Sequence, residues 1–265
     1  MAAGAIVAGL MMVALGVVPA FGQTSPEGAA ASGCRSEVHA GASYVICRFD
    51  PSRVSIETIW RDADDAPFGS LSSARTAIER GQGRRVLMMT NGGMYHEGLG
   101  PVGYYVEERI RLKPANTRAG PGNFHMRPNG IFFVEAGRPG VLETGAFLRR
   151  NRRPDFATQS GPMLVIEGRL HPIFKPDSPS LKIRNGVGVT LDGSRVTFAL
   201  SETPVSFYAF AELFRDVLGA HNALFLDGGS VPQLLSPTLS RGNFSPVGPM
   251  IAVTTRARAA ADTRN

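Results

Sequence analysis

Ala223-Leu224-Phe225-Leu226-Asp227-Gly228-Gly229-Ser230 puts four apolar residues directly before a carboxylate, two glycines and a hydroxyl. A short apolar run bounded by turn residues reads as a strand buried on both faces. Asp227 then stands at the end of that strand, with Gly228, Gly229 and Ser230 in the loop after it. Strand ends and the loops that follow them are where sites are usually assembled. Just upstream, residues 206–218 predict a helix that starts after Pro204 and stops at Gly219, with Phe207, Phe210, Ala211, Phe214 and Leu218 on one face. A last strand follows at Met250 to Thr254.

Further out the same reading gives mostly strands: 44–49, 54–60, 86–90, 102–108, 131–135, 163–167, 187–191 and 195–200. A second helix spans Ser72 to Arg80 and ends at Gly81. Strands outnumber helices and come in hairpin-like runs. The expected class is therefore α+β, a single domain over 34–254 with a mixed, mostly antiparallel sheet and a few packed helices. A hydrophobic fraction of 43% with 19% charged residues suits a globular chain rather than a disordered one.

The N-terminus has another character. Residues 5–18 are apolar and uncharged, Pro19 breaks the run, and Ala20 and Gly22 are small residues placed for a cut before Gln23. Residues 1–22 thus read as a signal peptide, although no Lys or Arg precedes the apolar run. The run is shorter than the ~20 residues that span a bilayer, so no stable membrane span is expected after cleavage. Residues 23–33 read as a flexible segment and 255–265 as a basic tail. The expected location is periplasmic or secreted, where Cys34 and Cys47 can form a disulfide. The formal charge is +6, and arginines group at Arg149-Arg150-Asn151-Arg152-Arg153. Arginine forks favour phosphate or carboxylate partners. No aromatic–basic interleaving points to nucleic acid.

Polar, Gly-rich segments carry the chemistry. Asn91-Gly92-Gly93-Met94-Tyr95-His96 follows the apolar strand 86–90. Gly122-Asn123-Phe124-His125-Met126-Arg127-Pro128-Asn129-Gly130 closes a long loop that opens near Lys113, of the kind that often binds or covers a ligand. Ala157-Thr158-Gln159-Ser160-Gly161-Pro162 offers neutral donors and acceptors suited to sugar hydroxyls, and Arg184-Asn185-Gly186-Val187-Gly188 offers a guanidinium for a phosphate. Each has a plainer reading: a tight turn, a surface excursion, or an Asp that caps its own backbone. His96 and His125 are candidates for acid–base work, against the commoner solvated histidine. No metal-ligand spacing occurs, and no metal or cofactor is expected.

Taken in order, Asn-Gly-Gly-Met-Tyr-His, Gly-Asn-Phe with Pro-Asn-Gly-Ile-Phe, Gln-Ser-Gly-Pro-Met-Leu, Arg-Asn-Gly-Val-Gly and Ala-Leu-Phe-Leu-Asp-Gly-Gly-Ser resemble the phosphodiester glycosidase family over roughly residues 34–254. The resemblance implies hydrolysis of a sugar–phosphate diester at the anomeric carbon, on surface or exopolysaccharide sugars in bacteria. It places site residues at Asn91, Gly92, Gln159, Ser160, Gly161, Arg184, Asp227, Gly228, Gly229 and Ser230; Gly93 and Asn129 belong to the same motifs. Gly93 stands where many relatives are expected to carry alanine. Ordinary glycosidases need two carboxylates. A phosphate-monoester leaving group, with a second pKa near ~6, departs as an anion. One Asp and one Arg then suffice: Asp227 as base or electrostatic stabiliser, Arg184 as phosphate clamp, and Asn91, Gln159 and Ser160 on the sugar. Glu97 and Glu202 are the candidates for a second carboxylate. Two rivals are a non-catalytic module for anionic glycans and a metal-dependent phosphodiesterase with Asp227 as ligand.

Overall fold

The structure, a computed structural model, describes residue 1, residues 33–243 and residues 245–256. The expected signal peptide, almost all of the flexible segment and most of the basic tail lie outside the described residues.

Three sheets share one core, where a single sheet was expected. The first has seven strands: β1 (Cys34–His39), β2 (Ala42–Phe49), β13 (Val196–Ser201), β12 (Arg184–Val189), β14 (Asn222–Gly228), β10 (Met163–Ile166) and β11 (Arg169–Leu170), in that spatial order. The second runs β16 (Ser240–Arg241), β15 (Leu234–Leu235), β4 (Val86–Asn91), β17 (Met250–Thr255) and β3 (Val54–Ile59). The third runs β6 (Ile110–Lys113), β5 (Tyr105–Glu107), β9 (Phe156–Ser160), β7 (Gly130–Glu135) and β8 (Arg138–Glu143). Every ladder among the described residues is antiparallel, so the expected mixed pairing gives way to hairpins and antiparallel neighbours.

The inner faces meet in a cluster to which Val45 and Phe198, Met88 and Ile251, and Phe132 and Val141 contribute from the three sheets in turn. Each outer face is covered by one helix. Helix α1 (Leu71–Gln82) sets Ala74 and Ile78 against Met89 and Ala252. Helix α2 (Thr144–Arg149) sets Phe147 against Phe133 and Tyr104. Helix α3 (Phe207–Glu212), continued by a π-helical turn over Leu213–Val217, sets Phe210 and Phe214 against Ile46 and Phe225. This double cover explains why β4 and β14 are apolar without alternation: neither strand has a wet face. Helix α1 ends at Gly83, which takes the left-handed conformation (φ 59°), so Gly81 lies inside the helix rather than ending it.

Cys34 and Cys47 face each other across the β1–β2 ladder and are joined by a disulfide. A covalent tie there fastens the edge strand β1 to its neighbour.

Candidate active site

The polar motifs converge where β4, β9 and β14 end and β12 begins. Strand β12 aligns Asn185 with Asp227, then Gly186 with Phe225, so Leu226 is bulged out of the ladder. The bulge leaves the Leu226 carbonyl free to accept the Ser160 hydroxyl from β9. The Asp227 N–H donates to Asn185 Oδ1 at 2.8 Å. Asn185 Nδ2 donates in turn to Asn91 Oδ1 at 2.9 Å, across to the second sheet. Beside Asn91, the Gly93 N–H donates to Thr158 Oγ1 at 3.1 Å, on the third sheet. Side-chain bonds thus tie all three sheets together at one place, beneath the Asp227 carboxylate.

The glycines here are close-approach positions. A Cβ on Gly93 would overlap the Gln159 carbonyl oxygen and the Thr158 hydroxyl, so the alanine expected in relatives has no room. A Cβ on Gly161 would press on Asn129, and one on Gly228 on the Phe225 ring. Gly92 donates its N–H to the Pro249 carbonyl at 2.7 Å.

Asp227 is partly exposed at the surface of this network, and burial raises its carboxyl to about 6, against one stabilising bond from the Gly228 N–H at 2.7 Å. Burial, with a smaller push from the Asp227 charge, raises Tyr95 to about 12, which places the phenol in the same field. The backbone N–H groups of Gly228 and Gly229, beside Asp227, are both engaged. Gly228 donates to Asp227 itself and Gly229 to the Ile183 carbonyl at 3.0 Å. Ser230 is exposed in the turn that follows.

Arg184 is paired with Gly228 in the ladder, one step from Asp227. It is buried, at 2% exposure, with Nε on the Val205 carbonyl (2.8 Å), Nη2 on the Ser180 carbonyl (2.9 Å) and the guanidinium 3.6 Å from the centre of the Phe207 ring. Among the described residues no carboxylate pairs with it, and Nη1 makes no hydrogen bond. Burial lowers its pKa to about 10, which still leaves it charged at neutral pH. A buried, unpaired cation is rare because desolvation is costly unless an anion compensates.

Gln159 turns out to be a brace. Its Oε1 accepts the N–H groups of Tyr104 (2.8 Å) and Asn116 (2.9 Å), while Nε2 donates to the Asn116 carbonyl (2.9 Å) and Thr144 Oγ1 (3.3 Å). All four bonding positions are filled, so the side chain positions the loop after β6 instead of facing a sugar. Asn129 is likewise committed, to the Phe124 carbonyl and the Thr144 hydroxyl. Asn91 differs: it is fully buried, and its Nδ2 has no partner among the described residues. Glu202 is ion-paired with Arg241, and Glu97 and His96 are exposed in a turn. His125 bonds the Arg118 carbonyl at 3.0 Å. The sequence reading assigned no role to Asn185, Thr158 or Tyr95. Asn185 sits next to Arg184, and strand alternation alone would have sent it to the opposite face.

Residues 84–254 match the family described as phosphodiester glycosidase. The uncharacterized protein YigE of Escherichia coli K12 is 36% identical over 179 residues, 68% of this chain and 69% of that protein. The catalytic domain of zebrafish N-acetylglucosamine-1-phosphodiester alpha-N-acetylglucosaminidase, solved auto-inhibited by its pro-peptide, has a similar fold at a TM-score of 0.54 and 13% identity, covering 85% of this chain and 82% of that one. A hypothetical protein from Synechocystis aligns at a TM-score of 0.52 and 15% identity, over 84% of this chain and 61% of that chain. The chain belongs to the phosphodiester glycosidase family.

Proposed function

We propose that this chain is an exported hydrolase that cleaves the glycosidic bond of a sugar-1-phosphate diester, with residues 34–254 as the working unit. The observation that carries the reading is the pairing of unlike groups on one ladder: a carboxyl held at about 6, and one step away a buried guanidinium with no acid partner among the described residues. The uncompensated charge of Arg184 draws the phosphate. Asp227, ionised above about pH 6, takes a proton from the attacking water or supports the developing oxocarbenium ion. Asn91 is fully buried and accepts from Asn185 Nδ2 and the Gln233 N–H, so it props the strand that carries Asp227 from beneath rather than reaching a sugar hydroxyl. Water adds at the anomeric carbon, the bond from that carbon to the phosphate oxygen breaks, and the phosphate monoester leaves as an anion that needs no acid. The sugars of a surface polymer or exopolysaccharide fit an exported enzyme.

Product analysis in H2(18)O tests the reaction. Attack at carbon puts the label in the free sugar; label in the phosphate, with release of sugar-1-phosphate, would identify a phosphodiesterase and overturn the proposal. Arg184→Ala is expected to raise KM for the diester by roughly 10-fold or more, as expected for loss of a charge-assisted contact. Unchanged kinetics in a folded variant would remove Arg184 from the site.

A further inference from the structure

A second charged region lies at the other end of β14. His221 and Asn222, which lead into β14, line a concavity of 740 Å³. Asp227 is five residues further along β14, roughly 15–17 Å away at strand rise. Next to this concavity lies another of 680 Å³, and the two share Glu135, Ala136 and Arg152. Together they form one groove, divided by the Arg152 side chain, whose guanidinium lies 5.5 Å from the centre of the Phe133 ring.

Six arginines line the groove: Arg109, Arg111, Arg138, Arg150, Arg152 and Arg153, all exposed. The acids among them are spent locally. Glu135 is held by Arg152 at 2.6 Å and by the Arg153 N–H at 2.8 Å. Asp155 takes Arg109 and the Ala136 N–H. Asp192 accepts from Thr190 and Ser194, which holds its carboxyl down at about 2. The guanidiniums of Arg111, Arg138, Arg150 and Arg153 are left without an ion pair or hydrogen bond among the described residues. Four unspent planar forks along one channel are a repeated carboxylate or phosphate receptor. The floor beneath them is aromatic, from Phe133 in one half and Tyr104 in the other. Charged walls over an apolar floor suit a linear acidic polysaccharide, whose rings present apolar faces between acid groups. A bilayer would need a flat or bulging surface rather than a channel.

We infer that this groove is a binding site for a linear acidic glycan, separate from the Asp227 site. It rests on the arginine channel alone and stands whether or not the proposed hydrolysis is correct. The test is binding of the purified full chain to polygalacturonate, with neutral dextran as control. Wild-type protein is expected to bind polygalacturonate, with affinity falling steeply as salt rises. Arg138→Gln/Arg150→Gln/Arg153→Gln is expected to weaken binding by roughly 10-fold or more and to flatten the salt dependence. Arg75→Gln/Arg80→Gln/Arg215→Gln removes the same charge elsewhere and is expected to leave binding within about 2-fold, as rim charges alone do little. Equal weakening by both triples would mean diffuse attraction and overturn the site. Failure of wild type to bind polygalacturonate would also overturn it, as would tighter binding to phosphatidylglycerol vesicles or to single-stranded DNA. Because the three replaced groove side chains bond nothing, melting curves of wild type and variant should coincide.

Discussion

Asp227 shows why a carboxylate can be useful and costly at once. Its carboxyl sits at about 6 because burial disfavours the ion and only one N–H bonds it. If the ionised form is the reactive one, kcat/KM on a sugar-1-phosphate diester should climb tenfold per pH unit below about 6 and level off above it. Asp227→Asn keeps the shape and the Asn185 contact to the backbone. It should lower kcat by about 10²-fold or more and abolish the acid limb. An acid limb that persists in folded Asp227→Asn would assign it to another group. Gly93 makes a purely steric case. Gly93→Ala forces a Cβ into the Gln159 carbonyl and the Thr158 hydroxyl and should destabilise by about 1–3 kcal/mol. A chemical melt with an unchanged midpoint would show that the loop yields freely.

Strand β9 marks how far sequence reading reached at the level of elements. Phe156-Ala-Thr-Gln-Ser160 has no apolar periodicity, so it reads as a loop with polar offerings. Its polar side chains are buried because neighbouring sheets satisfy them: Thr158 takes Gly93, Ser160 gives to Leu226, and Gln159 makes four bonds. Pattern methods equate polar with wet and miss a strand whose solvent is the rest of the protein. Most of the other missed strands lie at sheet edges, whereas β15 is a two-residue strand between β16 and β4. Strand β6 is exposed along its length, β1 is mostly polar, and β8 carries Pro139 and Gly140, which an edge tolerates. The doubly covered strands β4 and β14 were legible because their stretches Val86–Met89 and Ala223–Leu226 are apolar without a break. The motifs themselves were legible; their division of labour was not, since it depends on bonds between residues far apart in the chain. Gln159→Ala puts this to the test. It strips partners from the Tyr104 and Asn116 N–H groups and should cost about 2–4 kcal/mol. Hydrogen exchange should rise at Asn116 and Tyr104 before it rises elsewhere; uniform protection would mean that the brace is redundant.

Across the molecule, two carboxyls pull stability one way and several pull it the other. Burial raises Glu107 to about 7, even though the Tyr105 hydroxyl donates to it at 2.6 Å, and raises Asp227 to about 6. Both are more easily protonated folded than unfolded. Their contribution is therefore fully present below their unfolded values, near 4, and is lost as pH rises through 6 to 7. Glu37, held at about 2 chiefly by Arg48, and Asp192, held at about 2 by Thr190 and Ser194, act in the opposite sense. Their contribution is present above pH ~4.5 and is lost as pH falls toward 2. These four carboxyls by themselves place the maximum at roughly pH 4–5, while buried His171, whose pKa burial lowers, works against them below its unfolded value of about 6.5. Glu107→Gln isolates the alkaline limb. The amide oxygen can still accept the Tyr105 hydroxyl, and no charge remains to be desolvated. Relative to wild type, the variant should gain about 1–2 kcal/mol at pH 8 and nothing at pH 4, read from denaturant midpoints at the two pH values. An equal change at both would place the effect in packing rather than in titration. A loss at pH 8 would mean that the ionised carboxylate, not the neutral acid, is what the neighbouring Tyr105 and β3 are built to hold.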